Sequence, residues 1–234
     1  MPVYVNDMTI TCKTCSEYEF LVKELKKHFK LKKLGQISSL LGVAIERDRS
    51  KRLLSLSQRQ FIVDVLERFN LSNVKPVSTP LDPGMKLSKD QEPKNDEERD
   101  FMRSVPYSQL VGALMYLAVA TRPDIAHAVG VLACFSANPG PAHWTALKHL
   151  CRYLQGTKDA KLCHQPDPEC SEAFVTYADA DYGGDSDTRR STSSLVVKMG
   201  IGAIFWASKL QQVVTLSTTE AEYIFATAAG QEIL

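Results

Sequence analysis

YADADYGGD at residues 177–185 and STTEAEY at residues 217–223 are the two stretches that decide how this chain folds. The first follows an apolar run typical of a strand and the second opens a helical pattern, so Asp179 is predicted at a strand end and Glu220 at a helix start. Carboxylates held on rigid elements are the ligands with which proteins bind divalent cations against a phosphodiester. The pair is therefore a candidate metal site, and the alternative is that Asp179 only caps a loop.

The last quarter of the chain is predicted to fold as a small sheet followed by one helix. Apolar and β-branched residues recur in four short runs, which predicts strands over residues 174–177, 194–199, 203–206 and 212–216. A helix then begins near Thr218 and continues to the last residue. This order gives an incomplete sheet with a single helix, so the expected fold class is α+β.

Residues 105–156 carry the helical period of a packed bundle. Three predicted helices each place an apolar stripe on one face. The stripes are Tyr107, Leu110, Leu114 and Leu117, then Ile125, Val129, Leu132 and Phe135, then Trp144, Leu147, Cys151 and Leu154. Thr121 is predicted to cap the second helix, with Pro123 in its first turn, and Gly156 to follow the end of the third. His143 is expected to cap or pack at the start of the third helix.

The beginning of the chain is predicted to hold a hairpin and a basic helix. Residues 3–5 and 8–10 are short strand patterns, and Asn6-Asp7 between them is a two-residue turn. An amphipathic helix follows over residues 16–29. Its outer face carries four lysines, Lys23, Lys26, Lys27 and Lys30.

A strand pair, a second helix and a polar segment follow. Strand patterns cover residues 40–46 and 53–56, and SQRQ at residues 57–60 resembles a capping box at the start of a helix. From Pro76 to about Arg103 four prolines and a long polar run break the pattern, which predicts a linker or a long surface loop.

Composition favours an intracellular globular protein. The 234 residues are 44% hydrophobic and 24% charged, which is typical of one or two globular domains. No apolar run approaches the roughly 18 residues that cross a bilayer, so no membrane association is expected. The start lacks the basic region of a secretory signal, and the expected location is cytoplasmic or nuclear. Cys12 and Cys15 form a lone C-x-x-C, either a zinc site or an ordinary strand end.

The net charge of +1 hides an uneven distribution. Residues 1–81 contain 14 Lys and Arg against 8 Asp and Glu, a net charge of +6, whereas residues 171–234 contain 4 against 8, a net charge of −4. A basic segment attracts a nucleic-acid backbone, and an acidic one repels it unless cations lie between. This suits a metal-dependent nuclease, and a solvated charged surface is the alternative.

Different short motifs occur along nearly the whole chain, and their order is more informative than any single motif. They are YVND at 4–7, LG at 41–42, LSQ at 56–58, STPL at 78–81, LVGALMYL at 110–117, TRPDI at 121–125, HW at 143–144, RYLQGT at 152–157, ADADYGGD at 178–185, RRSTS at 189–193, WASK at 206–209 and STTEAEY at 217–223. The series resembles the C-terminal part of a copia-type retrotransposon Pol polyprotein, from the end of the reverse transcriptase to the beginning of its RNase H domain.

The resemblance implies a division of the chain. Residues 1–57 would be the C-terminal palm remnant of a reverse transcriptase and residues 58–81 a thumb-like helix. Residues 82–105 would be a polar linker and residues 106–157 a helical thumb- or connection-like region. Residues 171–234 would be the N-terminal, truncated part of an RNase H-like domain.

The resemblance also implies polymerase chemistry, for which the chain lacks carboxylates. Such a site holds two Mg²⁺ ions between acids from two palm strands. Asp7 keeps one acid of the family's YVDD box, but Asn6 stands at the other position, and its amide oxygen carries no formal charge. The resemblance implies that the partner Asp would lie on an upstream strand outside these residues, so we expect no DNA polymerisation by the chain alone. The alternative for Asn6-Asp7 is a plain hairpin turn.

The same resemblance matches Asp179 and Glu220 to the first two ligands of a site that uses Mg²⁺ or Mn²⁺ to cut the RNA strand of an RNA–DNA hybrid. Ser191 and Thr192 lie on a turn where hydroxyls could meet backbone phosphate. By the resemblance, the family's remaining acids would come later than residue 234, so cation binding by this chain is expected to be weak.

Other acids near this pair are given different roles. Asp181 and Asp185 are expected to be turn residues. Glu222, two residues after Glu220, is expected to point to a different helix face.

Three functions remain open from the sequence. The first is a catalytically incomplete fragment of a reverse transcriptase/ribonuclease H. The second is a non-catalytic module whose Lys-rich helix and helical middle bind nucleic acid or a full-length polymerase. The third is a relic reading frame without a selected role.

Overall fold

The computed structural model describes residues 3–4, 7–169 and 172–233. The chain divides into two compact units, residues 1–41 and 42–234, and each is described by itself. The mixture of helices and antiparallel strands confirms the predicted α+β class. Among the described residues, no helix combines the length and the apolar character that spanning a membrane requires.

The first unit begins with a short hairpin. Strands β1 (Val3–Tyr4) and β2 (Asp7–Met8) are antiparallel, with Tyr4 opposite Asp7. Asp7 therefore lies in a strand, so the prediction that it forms the turn is wrong. Asn6 lies outside the described residues.

Helix α1 (Cys15–Leu25) follows the hairpin. Thr14 caps it, since its side chain accepts a hydrogen bond from the Glu17 amide at 3.3 Å. The helix ends four residues before its predicted end, because the amides of Lys27 and His28 donate to carbonyls three residues back, in a tightened final turn. A short strand, β3 (Ser39–Leu40), lies near the end of this unit.

The main core of the second unit is helical. Its helices are α2 (Arg59–Arg68), α3 (Asp96–Ser104), α4 (Tyr107–Ala120), α5 (Ala126–Ala133) and α6 (Pro141–Thr157). The predicted stripes line this core, and the fully buried members are Leu110, Leu114, Leu117, Ile125, Leu132, Leu147 and Cys151. Complete burial of one such aliphatic side chain contributes about 1.5–3 kcal/mol, so these helices form the most strongly stabilised part of the chain.

Two antiparallel sheets accompany the helices. The first contains β4 (Val43–Asp48), β5 (Leu53–Ser57) and β6 (Leu162–His164). β5 immediately precedes α2, and β6 is the next element after α6. Their pairing therefore brings together the strands that precede and follow the helices in the chain.

The second sheet has the order β7 (Val175–Ala180), β8 (Thr192–Met199) and β9 (Gly202–Leu210). Helix α7 (Thr218–Ile233) packs on one face through Phe225. The other side of β9 contacts the helical core, where the Trp206 indole donates to the Ala118 carbonyl at 2.6 Å. The sheet is thereby attached to the helices within this unit.

Three residues or segments predicted to mark helix boundaries have other contacts in the structure. Thr121 ends α4, and its hydroxyl donates to the buried side chain of Gln58 at 2.7 Å. Ser57 accepts a hydrogen bond from the Arg59 amide at 3.3 Å, but the Gln60 side chain donates to Asp64 at 2.8 Å instead of reaching back, so the reciprocal half of the predicted capping box is absent. Gly156 lies inside α6, where an added Cβ would be 3.1 Å from Cβ of Pro76.

The segment predicted as a polar linker contains α3 and a single 3₁₀ turn, Lys89–Gln91. The Asn95 side chain accepts from the Glu98 amide, and the Glu98 carboxylate accepts from the Lys94 amide, both at 2.8 Å. This reciprocal capping stabilises a helix whose composition is almost wholly polar.

An extended segment after α2 is fastened to α6 by side chains that bind its backbone. His149, Arg152 and Gln155 follow one another on one face of the helix at intervals of three residues. They contact the carbonyl oxygens of Thr79, Lys75 and Ser72 at 2.9, 2.8 and 2.9 Å. His143, fully buried at the start of α6, accepts from the Gly140 amide at 2.8 Å and stacks on Phe135, which confirms its predicted role.

Candidate metal and nucleic-acid site

Asp179 lies near the end of β7, as predicted, and is exposed. It is opposite Ser194 of β8 in the strand register. Its neighbour Ala180 packs in the apolar cluster beneath α7. Because side chains alternate between the faces of a sheet, Asp179 points to the face away from α7.

Glu220 lies in the first turn of α7, also as predicted. Its carboxylate accepts a hydrogen bond from the Leu216 amide at 2.7 Å, and its own amide donates to the Ser217 hydroxyl at 3.1 Å. This is the reciprocal capping of a helix N-terminus. One carboxylate oxygen of Glu220 is therefore already used to stabilise the helix.

The two acidic segments meet at Leu216. The hydroxyl of Tyr182, in the loop after β7, donates to the Leu216 carbonyl at 3.2 Å, and the Leu216 amide binds Glu220. The fold thus brings the loop after Asp179 to the start of α7. The two carboxylates themselves have different neighbours.

The other acids of the loop after β7 hold turns. Asp181 accepts from the Thr192 amide, and Asp185 accepts from the Thr188 amide at 2.8 Å. These contacts confirm that Asp181 and Asp185 are turn residues. Asp187 binds the Lys89 amide at 2.9 and 3.1 Å and so ties the loop to the 3₁₀ turn.

Ser191 and Thr192 occupy unlike environments. Ser191 is fully buried, and its hydroxyl accepts from the Gly183 amide at 3.1 Å and contacts the Thr215 hydroxyl at 3.2 Å. A phosphate cannot reach it in this arrangement. Thr192 is half-buried at the start of β8, opposite Leu210.

The strand predicted over residues 212–216 is absent, and the segment is held instead by the hydrogen bonds of Gln211. Its side-chain amide donates to the Ser193 hydroxyl at 2.9 Å and to the Ala221 carbonyl at 3.0 Å. Its backbone amide donates to the Ser191 carbonyl at 2.8 Å. These bonds bind the segment to β8 and α7 as an irregular loop, because local side-chain bonds compete with a strand ladder.

The candidate lysines lie in the first unit. Lys23 is in α1, Lys26 caps its C-terminal end, and Lys27 and Lys30 follow the helix; all four are exposed. Lys27 pairs with Glu24 at 2.7 Å. Within the described part of the chain, the side chains of the other three form no ion pair, so they are free to meet an anion.

The fit of these residues to a metal ion is limited. Carboxylate oxygens are the donors that Mg²⁺ prefers, and the carboxylate of Asp179 has no hydrogen-bond partner among the described residues. Glu220 has one oxygen to spare. Among the described residues, no group of three or more His, Cys, Asp and Glu side chains is arranged to hold a metal ion. The side chain of Asp7 and the whole of Asn6 lie outside that description.

Comparison with known proteins adds sequence relationships. The family model described as reverse transcriptase (RNA-dependent DNA polymerase) matches residues 1–83. A retrovirus-related Pol polyprotein from transposon TNT 1-94 of Nicotiana tabacum is 49% identical over 99% of this chain, and the match covers 17% of that polyprotein. The chain thus spans about a sixth of the length of that relative. No solved structure matches.

Two shorter relatives are matched over most of their own length. An uncharacterized mitochondrial protein of Arabidopsis thaliana, AtMg00810, is 32% identical over 94% of this chain and 87% of that protein. A secreted RxLR effector protein of Plasmopara viticola, number 161, is 48% identical over 56% of this chain and 91% of that protein.

Proposed function

The chain belongs to the family of copia-type retrotransposon Pol polyproteins, and on that basis we propose that it joins the end of a reverse transcriptase to the first part of an RNase H-like domain. The proposal is supported by the meander β7–β8–β9 with α7 packed on one face. Asp179 lies on the first strand of this meander, and Glu220 lies in the first turn of the helix. In this proposal residues 1–57 end the palm, residues 58–81 form a thumb-like helix, and residues 106–157 form the region that connects them to the RNase H-like part.

The proposed substrate is an RNA–DNA hybrid. A bound Mg²⁺ or Mn²⁺ would supply an activated water and neutralise charge on the phosphate. Asp179 would offer its unengaged carboxylate to the cation, and Glu220 the oxygen that does not bind Leu216. Because Asp179 points to the face away from α7, the two would share a cation only weakly.

We also propose that these 234 residues by themselves catalyse neither reaction efficiently. Asp179 and Glu220 supply two carboxylates to chemistry that uses two cations, and one of the two is shared with a helix cap. At the polymerase-like position Asp7 stands beside the uncharged Asn6. Loose binding of one cation is the expected behaviour.

Cleavage of a labelled RNA–DNA hybrid in Mn²⁺ tests the proposal. The chain should bind the hybrid and release no RNA fragments above background. If it cuts, and Asp179→Asn and Glu220→Gln abolish the cutting, the site is an active nuclease and the proposed incompleteness is wrong. Primer extension above background in Mg²⁺ or Mn²⁺ would show that these residues polymerise DNA by themselves, contrary to the proposal.

A second function, a non-catalytic module that binds nucleic acid, is favoured by the three unpaired lysines of the first unit. Replacing Lys23, Lys26 and Lys30 by Ala should weaken hybrid binding and reduce the salt slope of log K by about 2–3, since each phosphate contact contributes about 0.9. The matched control replaces three other exposed lysines, Lys51, Lys86 and Lys94. Equal losses in both triple variants would show only a general effect of charge. Co-purification with a full-length polymerase tests the other partner of such a module.

A further inference from the structure

Arg189 carries a guanidinium group without a partner in a loop that is rich in acids. Its side chain is exposed and forms no hydrogen bond or ion pair with any described residue. The three loop carboxylates are engaged elsewhere, each with a backbone amide, as described above for Asp181, Asp185 and Asp187. The charges in this loop therefore do not neutralise Arg189 by direct contact.

The backbone of Arg189 is held in an unfavourable conformation. Its φ is +57°, in the left-handed region that glycine adopts readily and that other residues rarely adopt. The turn is closed by two bonds, from the Arg189 amide to the Asp185 carbonyl at 2.9 Å and from the Asp185 amide to the Arg190 carbonyl at 3.1 Å. Glycine adopts this conformation at lower cost, so arginine at this position carries a backbone penalty.

The turn directs the guanidinium against Gly183. A Cβ added at Gly183 would lie 3.3 Å from Nη2 of Arg189, so the group is packed against the glycine backbone. Gly183 follows Tyr182, which binds Leu216, and Leu216 binds Glu220. A continuous series of contacts thus joins Arg189 to the candidate carboxylate on α7.

We propose that Arg189 binds a backbone phosphate of nucleic acid seated at this site. The choice of ligand rests on the function proposed above. The guanidinium is permanently charged, presents several N–H donors in a planar fork that matches phosphate oxygens, and is already oriented by its turn. It also places a positive charge within a segment whose net charge is −4, where a polyanion would otherwise be repelled.

Binding of a fluorescent RNA–DNA hybrid, measured by anisotropy in Mg²⁺ over a series of salt concentrations, tests this. Arg189→Gly removes the guanidinium and relieves the backbone, so it should raise the melting temperature while weakening binding about five- to tenfold. Loss of one phosphate contact should also reduce the salt slope by about 0.9. Arg189→Lys keeps the charge and should restore part of the affinity. The control Arg103→Ala removes an exposed arginine that already pairs with Asp100, and binding should stay unchanged.

The outcomes separate the two proposals. If the unaltered chain binds the hybrid and Arg189→Gly binds equally well, the assignment of Arg189 is wrong and the proposed function stands. If the unaltered chain does not bind the hybrid, both fail. If Arg189→Gly lowers both the melting temperature and the affinity, and Arg189→Lys restores neither, the residue is structural and the assignment is overturned.

Discussion

The ion pair between the buried Arg122 and the partly exposed Asp124 should make a measurable contribution to the free energy of unfolding. The Arg122 side chain is 3% exposed and meets the Asp124 carboxylate through two N–H groups, at 2.7 and 2.9 Å. It also donates to the backbone carbonyl and the hydroxyl of Thr157 at 3.1 and 2.6 Å. Tyr153 donates its hydroxyl to Asp124 at 2.8 Å. Together these bonds join the turn between α4 and α5 to the end of α6.

Asp124→Asn keeps the size of the side chain and removes its charge, which leaves the Arg122 guanidinium buried without a counter-ion. Breaking a buried ion pair costs about 3–5 kcal/mol. The Asp124 side chain is 35% exposed, so water screens the pair, and the expected loss falls to about 2–3 kcal/mol. Adding Arg122→Met should cost less than the sum of the single variants by at least about 1 kcal/mol, because the uncompensated charge is gone.

Urea unfolding of the full chain, followed by tryptophan fluorescence, measures these losses. Trp144 and Trp206 both lie in the second unit, so the signal reports the part of the chain that holds the pair. A loss below about 0.5 kcal/mol for Asp124→Asn, which is the range of ordinary surface substitutions, would refute the reasoning. Additive losses in the double variant would refute the claim that the two residues act as a pair.

The same pair gives stability a defined dependence on pH. Burial alone would raise the pKa of Asp124, but the hydrogen bonds and charge of Arg122, with the Tyr153 hydroxyl, outweigh it and hold the pKa below its ordinary value. The pair therefore stabilises the fold above the unfolded pKa of about 3.9, and this contribution is lost as the pH falls through the lower folded value. Asp124→Asn should remove that part of the acid dependence.

Three further perturbations follow from particular contacts. Burial lowers the pKa of His143, so stability should fall as the pH drops below about 6.5, the unfolded value, and His143→Gln should remove this dependence in urea titrations at pH 7.5 and 5.5. Gly156→Val should lower stability by about 1–3 kcal/mol in thermal unfolding, because the side chain would meet Pro76, and an unchanged melting temperature would contradict that packing. Trp206→Phe should cost about 1 kcal/mol by removing its bond to the Ala118 carbonyl, and protease cleavage after β9 should become faster if that bond attaches the sheet.

The helical middle of the chain could be predicted from sequence because burial of apolar side chains at helical spacing is enough to determine it. Leu110, Leu114 and Leu117 recur at helical spacing and are buried, and nothing local opposes that pattern. The helix Asp96–Ser104 escaped prediction because its composition is polar, although Asn95 followed three residues later by Glu98 is a recognisable start signal.

Helix caps and short strands that were predicted from one or a few side chains were less reliable, because those side chains bind distant parts of the chain instead. Thr121 has the chemistry of a helix cap but binds Gln58, 63 residues earlier in the chain. Residues 212–216 have a strand pattern, yet Gln211 binds β8 and α7, and Thr215 binds the Ser191 hydroxyl. At the candidate site, the positions of Asp179 and Glu220 on their elements were predictable. The use of Glu220 as a cap, and the opposite face taken by Asp179, depend on register and loop path, which the sequence does not encode locally.

The contacts between α6 and the extended segment of residues 72–79 affect which substitutions this region can tolerate during evolution. His149, Arg152 and Gln155 bind only carbonyl oxygens, which every amino acid carries. Most substitutions in residues 72–79 should therefore accumulate without loosening the attachment. Selection on this region should fall instead on the three helix residues, and on the close contact of Pro76 with Gly156, where side-chain size is sensed directly.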